Sequence, residues 1–239
     1  MTSRDRLLIA IPTYDERENI GTLLPTLLAL HPEAHIVVID DNSPDGTAEL
    51  VATHAARHPG IHLISRDSRR GLGSSYRAAF AWALERDYAR VVTMDADGSH
   101  DPAQIGRLLA AMPPADVVVG SRYVAGGKIG DWPLSRRALS WGGNAAARLM
   151  VGTHVRDWTA GFKCYGRQAL ASLSFDRITS EGYSFQIEIL FHCLRAGWTI
   201  HEVPITFVDR RRGQTKMSRR EVSQAVAALL RIAWQRMTS

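Results

Sequence analysis

The 239 residues, 45% hydrophobic and 22% charged, suit one large globular domain and exclude a low-complexity or fibrous protein. The formal net charge is +5 and comes mostly from arginine; it suits a phosphorylated substrate, anionic lipid or nucleic acid without choosing among them. No apolar run approaches the roughly 18–20 residues a bilayer span requires. The short polar start before Leu7 is not expected to be a signal peptide, and Cys164 and Cys193 form no metal-type spacing, so a reduced cytoplasmic compartment is expected.

Hydrophobic periodicity predicts alternating strands and helices. Leu7 to Ile11 is a strand, followed by a turn with Tyr14 and Glu16. A helix follows with Ile20, Leu23, Leu24, Leu27 and Leu28 at helical spacing, with Pro25 as a possible disturbance. A second strand, Ile36 to Ile39, ends in Asp40-Asp41; a helix over 47–58 and a strand from Ile61 to Ile64 come next. Gly71-Leu72-Gly73 opens a helix to about Asp87. It resembles the start of a dinucleotide fingerprint, but Tyr76 occupies the third glycine's place, and close backbone packing or a loop near a ligand are the better readings.

The fourth strand, over 90–94, is apolar and β-branched, as an inner parallel strand should be, and delivers Asp95 and Asp97. On extended chain, positions i and i+2 face one side, and two adjacent carboxylates repel unless a cation lies between them. A divalent ion with a substrate phosphate fits; so does a plain polar turn leading into a helix at Asp101-Pro102, and the spacing alone leaves both open. A helix over 102–112 and a strand over 116–119 complete this half. The alternation predicts a mostly parallel sheet flanked by helices, with its ligand beyond the strands' carboxyl ends. Tyr14, Glu16, Asp40, Asp41, Asp95, Asp97 and Arg122 all fall at those ends.

The second half is less regular. Residues 126–133 hold three glycines, a proline and an exposed-looking Trp132, which suits a mobile loop or an ordinary connection. Helices are expected over 135–151 and 184–196, with Glu181 and Glu188 on or beside the latter, and a strand over 199–208. A run with six basic residues spans 209–220, either a solvated face or a phosphate grip. Ser218 and Glu221 form a capping box for a final amphipathic helix. The expected organisation is a catalytic unit of 1–217 and a C-terminal helix of 218–239, which packs on the same domain or meets a membrane or partner.

Pro12-Thr13-Tyr14-x-Glu16, the run from Asp40-Asp41 to Gly46-Thr47, and Asp95-Ala96-Asp97-x-Ser99-His100-x-Pro102 resemble the inverting family-two glycosyltransferases of GT-A (nucleotide-diphospho-sugar transferase) fold. Gly120-Ser121-Arg122-Tyr123, Gly182-Tyr183-x-Phe185-Gln186 and Asp209-Arg210-x-x-Gly213-x-Thr215-Lys216 resemble, within them, the polyprenol (dolichol) phosphate mannose synthases. The resemblance implies transfer of mannose from GDP-mannose to a polyprenyl monophosphate, with Mg²⁺ or Mn²⁺. It implies that Pro12, Tyr14, Glu16, Ile39 and Asp41 bind the nucleotide, Asp95 and Asp97 the metal, and that Ala96 contacts the donor. Arg122, Arg210 and Lys216 would meet phosphates, with Asp97, Arg122 and Arg210 carrying catalysis. Gly98 departs from the family's commoner apolar residue and loosens the loop, Thr215 is a mild change from serine, and Ser99 stands where some relatives carry Gln as a further metal ligand, which puts a third protein ligand in doubt. A related enzyme using a UDP-sugar is the nearest alternative. A basic nucleic-acid-binding protein is a remote one, opposed by the acids at the strand ends. The acceptor implies peripheral work at the cytoplasmic face of a membrane, directly or through a membrane-protein partner.

Overall fold

The structure, a computed structural model, describes residues 6–112, 114–130, 132–209, 227 and 229–232. Arg210, Lys216, the 217/218 boundary and most of the expected last helix lie outside the described residues. The strands are β1 (Leu7–Thr13), β2 (His35–Asp40), β3 (Ile61–Ser65), β4 (Arg90–Thr93), β5 (Val117–Ser121), β6 (Lys128–Ile129), β7 (Lys163–Gly166), β8 (Ile200–Pro204) and β9 (Thr206–Phe207). The helices are α1 (Arg17–Leu30), α2 (Thr47–Ala55), α3 (Leu72–Glu85), α4 (Ile105–Ala110), α5 (Leu134–Val151), α6 (Arg167–Ala171) and α7 (Gly182–Arg195).

Seven strands form one sheet in the order β3-β2-β1-β4-β7-β5-β8, parallel except for β7, which runs antiparallel to both neighbours. The strand alternation feeds two cores. Leu8, Ala10, Val37, Ile39 and Val91 face α3 and α7 with Tyr76, Phe80, Phe185 and Leu190. Ile9, Ile11, Ile36, Val38 and Val92 face α1 and α4 with Leu24, Leu27, Ile105 and Leu108. Burying both faces explains why these strands read as continuous apolar runs.

Several expectations change. Pro25 does not break α1, which runs unbroken from Arg17 to Leu30. The helix expected over 102–112 is a 3-10 turn at Pro102–Gln104 followed by the short α4, with Asp101 capping the turn through the Ala103 amide at 2.9 Å. The late strand breaks in two: β8 ends at Pro204, which has no amide to donate, and β9 pairs with β6 in a separate ribbon. β7 and α6 were not anticipated. Trp132 is buried, with the Arg136 guanidinium 3.9 Å over its ring and Phe207 packed edge-on.

Gly71 and Gly73 serve close packing, one of the two roles expected of them. A Cβ on Gly73 would lie 2.5 Å from the Ser180 carbonyl oxygen. Glu181 accepts from the Gly73 and Ser74 amides at 2.6 and 3.1 Å and pairs with Arg77 at 2.7 Å, a carboxylate at the positive end of α3. Glu188 likewise serves structure, accepting from the Ser180 amide at 2.9 Å. At the C-terminus, Leu229 and Ile232 join the α3–α7 core, and Arg231 donates to Thr179 and Ser180 at 3.1 and 2.8 Å.

Candidate active site

β1 and β2 end in register, Thr13 opposite Asp40, and their exits are tied together. Thr13 Oγ1 and Ser43 Oγ donate to Asp40 at 3.0 and 2.6 Å, and the Asp41 amide donates to the Thr13 carbonyl at 3.0 Å. Asp40 is thereby committed to the turn. Asp41 is buried and accepts from the Arg70 amide at 2.9 Å, the Gly71 amide at 2.8 Å and Arg66 Nη1 at 3.0 Å. It organises the loop between β3 and α3. That loop places Arg69 over the Tyr14 ring, 3.8 Å from its centroid. Glu16 accepts from Asn19 Nδ2 at 2.6 Å. Pro12 stands opposite Ile39 in register, and Ile39 is fully buried in the core.

β4 stops at Thr93, so Asp95 and Asp97 sit in a bend instead of on extended chain. Their environments differ. Asp97 is buried and accepts from the Ser99 amide at 3.0 Å, whereas the Asp95 side chain is 33% exposed. The Asp95 amide donates to His100 Nδ1 at 3.0 Å. His100 is buried against Phe162, and burial lowers its pKa, which keeps the ring neutral as an acceptor. Ala96 is buried between the two acids.

Two features of this bend fit a hard divalent cation. The Ser99 hydroxyl is buried without a hydrogen-bond partner among the described residues, and the buried Tyr76 phenol faces Asp95, where burial first and then the Asp95 charge hold it well above its ordinary pKa. A Cβ on Gly161 would lie 3.3 and 3.4 Å from the Asp95 carboxylate oxygens, so glycine leaves their approach open. Carboxylate and hydroxyl oxygens are the donors Mg²⁺ and Mn²⁺ prefer.

Arg122 leaves the end of β5 and is buried. Its Nε and Nη2 donate to the two oxygens of Asp157 at 2.8 and 2.6 Å, its amide donates to Asp157 at 2.9 Å, and Nη2 also reaches Thr159 at 2.7 Å. Burial works against its charge, but the Asp157 charge and the hydrogen bonds to Asp157 together outweigh burial and raise the arginine's pKa further, so it stays cationic. Tyr123, Trp132 and Phe207 ring it within 5.4–5.6 Å. Behind β4, Lys163 is fully buried; burial pushes its ammonium down to about 7, and Gln186 Oε1 accepts from it at 2.5 Å. Asp157, Thr159, Lys163 and Tyr76 were not anticipated. The one usable signal was that a buried arginine requires a carboxylate.

An α/β sheet whose exits carry paired carboxylates and a buried arginine defines a nucleotide-sugar transferase of GT-A type. The chain belongs to glycosyl transferase family 2, whose model matches residues 8–174. It is 46% identical over 226 residues to the undecaprenyl-phosphate mannosyltransferase of Micrococcus luteus, covering 95% of this chain and 93% of that protein. It is 42% identical over 223 residues to the polyprenol monophosphomannose synthase of Mycolicibacterium smegmatis, covering 92% and 84%. Among solved structures, glucosyl-3-phosphoglycerate synthase from Mycobacterium tuberculosis with Mg²⁺ and UDP superposes with a TM-score of 0.70 at 19% identity, covering 96% of this chain and 79% of that one. A mannosyltransferase from Pyrobaculum calidifontis with GDP-Man and Mn²⁺ superposes with a TM-score of 0.64 at 19% identity, covering 96% and 65%. The likeness to these two structures is one of fold.

Proposed function

We propose that this transferase moves mannose from GDP-mannose to a polyprenyl monophosphate with inversion, and that Asp95 and Asp97 hold a Mg²⁺ or Mn²⁺ ion. One observation carries the reading: Asp95, Asp97 and Arg122 share one rim in a chain 46% identical to an undecaprenyl-phosphate mannosyltransferase. The ion, when bound, neutralises charge as the nucleoside diphosphate leaves. The protein's own task is placement. A phosphate monoester, with a second pKa of about 6, is already anionic near neutral pH and needs no strong general base. Arg122, fixed by Asp157, and Arg210 and Lys216 by the family pattern, bring that anion towards a donor that also bears phosphate.

On the donor side, Pro12, Tyr14 and Glu16 offer the half-buried edge, while Ile39 and Asp41 act from behind, Asp41 by holding the Arg66–Gly71 loop. The acceptor's chemistry places the work at a membrane's cytoplasmic face. Among the described residues no helix is long and apolar enough to cross a membrane.

The test is transfer by the purified chain to a short polyprenyl phosphate, with GDP-mannose or UDP-glucose as donor, read by mass spectrometry. The expected product is polyprenyl-phosphate mannose from GDP-mannose, lost on chelation of divalent ions. Transfer from UDP-glucose instead would overturn the donor assignment.

A further inference from the structure

One buried charge has no part in the mechanism above. Lys163 opens β7, the antiparallel strand between the one that leads to Asp95 and Asp97 and the one that leads to Arg122. In register it stands opposite Thr93 on β4 and Val119 on β5, just short of those groups. Its side chain is fully buried, and both acceptors of its ammonium among the described residues belong to Gln186: Oε1 at 2.5 Å and the backbone carbonyl at 3.4 Å. Gln186 lies on α7 one turn after Tyr183, which stands near Arg122. Positions three apart share a helix face. The run from Gly182 to Gln186, distinctive in the sequence, thus turns one face of α7 to the floor of the site.

A purely structural role does not account for this lysine. A buried ammonium is costly to keep, and one held by a neutral amide gains little in return. Methionine would fill the same space without that cost. The charges that reach Lys163 are those of the site. Burial lowers its ammonium to about 7, while Asp157 and, more weakly, Asp95 pull the other way. Asp157 is already matched by Arg122, whereas Asp95 and Asp97 set two negative charges at one bend. Lys163 supplies a further cation in the interior behind that bend.

We propose that Lys163 is a positioning residue, the internal counter-cation of the Asp95–Asp97 bend. It holds the two carboxylates together while no ion is bound and tempers their grip on the divalent ion, which can then leave with the spent nucleoside diphosphate. The argument is one of sign. In the low-dielectric interior a positive charge behind the carboxylates repels a divalent ion in front of them. Removing it strengthens metal binding, whereas losing a mere structural support would weaken it. The inference rests on the metal assignment above and adds a group to it.

The test compares the full chain with Lys163→Met and with Lys163→Met/Gln186→Leu. The double variant also removes the amide that would lose its donor, which keeps the cost to folding small. Mn²⁺ affinity in the presence of GDP is read by electron paramagnetic resonance at about pH 6.5, below the ammonium's value of about 7. Both variants are expected to bind Mn²⁺ at least about threefold more tightly than wild type. With GDP-mannose and a short prenyl phosphate, kcat and the donor KM should fall together, as they do when release slows and chemistry does not. Mn²⁺ binding unchanged or weaker in the folded double variant, while Asp97→Asn still weakens it, overturns the role of Lys163 and leaves the metal assignment standing. If Asp97→Asn leaves Mn²⁺ binding untouched, the metal assignment falls and the role of Lys163 falls with it.

Discussion

The Val208 amide donates to the Ser99 carbonyl at 3.2 Å, which stitches the last described strand to the bend carrying Asp97. Gln104 grips the same strand at Thr206, accepting from its amide at 2.8 Å and donating to its carbonyl at 3.2 Å. The chain therefore enters the basic run beside the carboxylates. Arg210→Ala is expected to lower turnover by about 10²–10³-fold, as removal of one preorganised charge contact does. Arg211→Ala and Arg212→Ala should cost far less. Steady-state kinetics on the three variants check this, and equal small losses would mark the run as a solvated face.

Asp97→Asn removes a charge but keeps an oxygen for the Ser99 amide. The fold should survive, with a melting temperature within about 3 °C of wild type, while turnover falls at least about a hundredfold. Mn²⁺ binding in the presence of GDP, followed by electron paramagnetic resonance, should weaken in parallel. Wild-type turnover at saturating metal would refute the assignment.

Asp157 is fully buried against Arg122. Asp157→Ala strands a buried cation, and urea denaturation should show a loss of about 3–5 kcal/mol. Arg122→Met/Asp157→Leu removes both charges and should recover much of that stability while remaining inactive. A single variant as stable as wild type would mean that the pair does not organise the rim.

The histidines set an acid limit. His35 Nδ1 lies 3.1 Å from His62 Nε2 and 2.7 Å from the Tyr88 hydroxyl. Burial first, then the Arg6 charge, lowers the His35 pKa; burial also leads at His62, His100 and His192. The folded protein thus refuses protons that the unfolded chain accepts. Stability is complete above the ordinary histidine value of about 6.5 and declines as the pH falls through it. Urea midpoints at about pH 7.5 and about pH 5.5 should show this, and His62→Gln should shrink the difference.

The first half of the fold was legible because its strands are buried on both faces and end in polar residues that have nowhere else to go. Tyr14, Asp41, Asp97 and Arg122 accordingly lie at the strand exits where the sequence placed them. β7 was not legible. It is four residues long, preceded by Gly161 and ending at Gly166, and starts with Lys163, whose burial depends on Gln186, 23 residues later. Trp132 looked exposed among glycines because its cover, Phe207 and Arg136, comes from elsewhere in the chain. The Asp41 carboxylate was legible as a strand-exit residue, but its commitment to the Arg66–Gly71 loop was not, since backbone amides leave no trace in composition.

The position of β7 also governs the order in which the protein can be completed during synthesis. β4 and β5 are not hydrogen-bonded neighbours; β7 lies between them, and β8 joins β5 at the edge. A nascent chain that has emerged only as far as α5 therefore carries a bare strand edge along Val91 and Val92, beside the aspartate bend. Thr93 still lacks the Gly161 carbonyl to which it donates at 2.7 Å. Unpaired apolar edges recruit other chains, so a ribosome paused between α5 and β7 leaves this enzyme at its most aggregation-prone, and chaperone capture should concentrate in that interval.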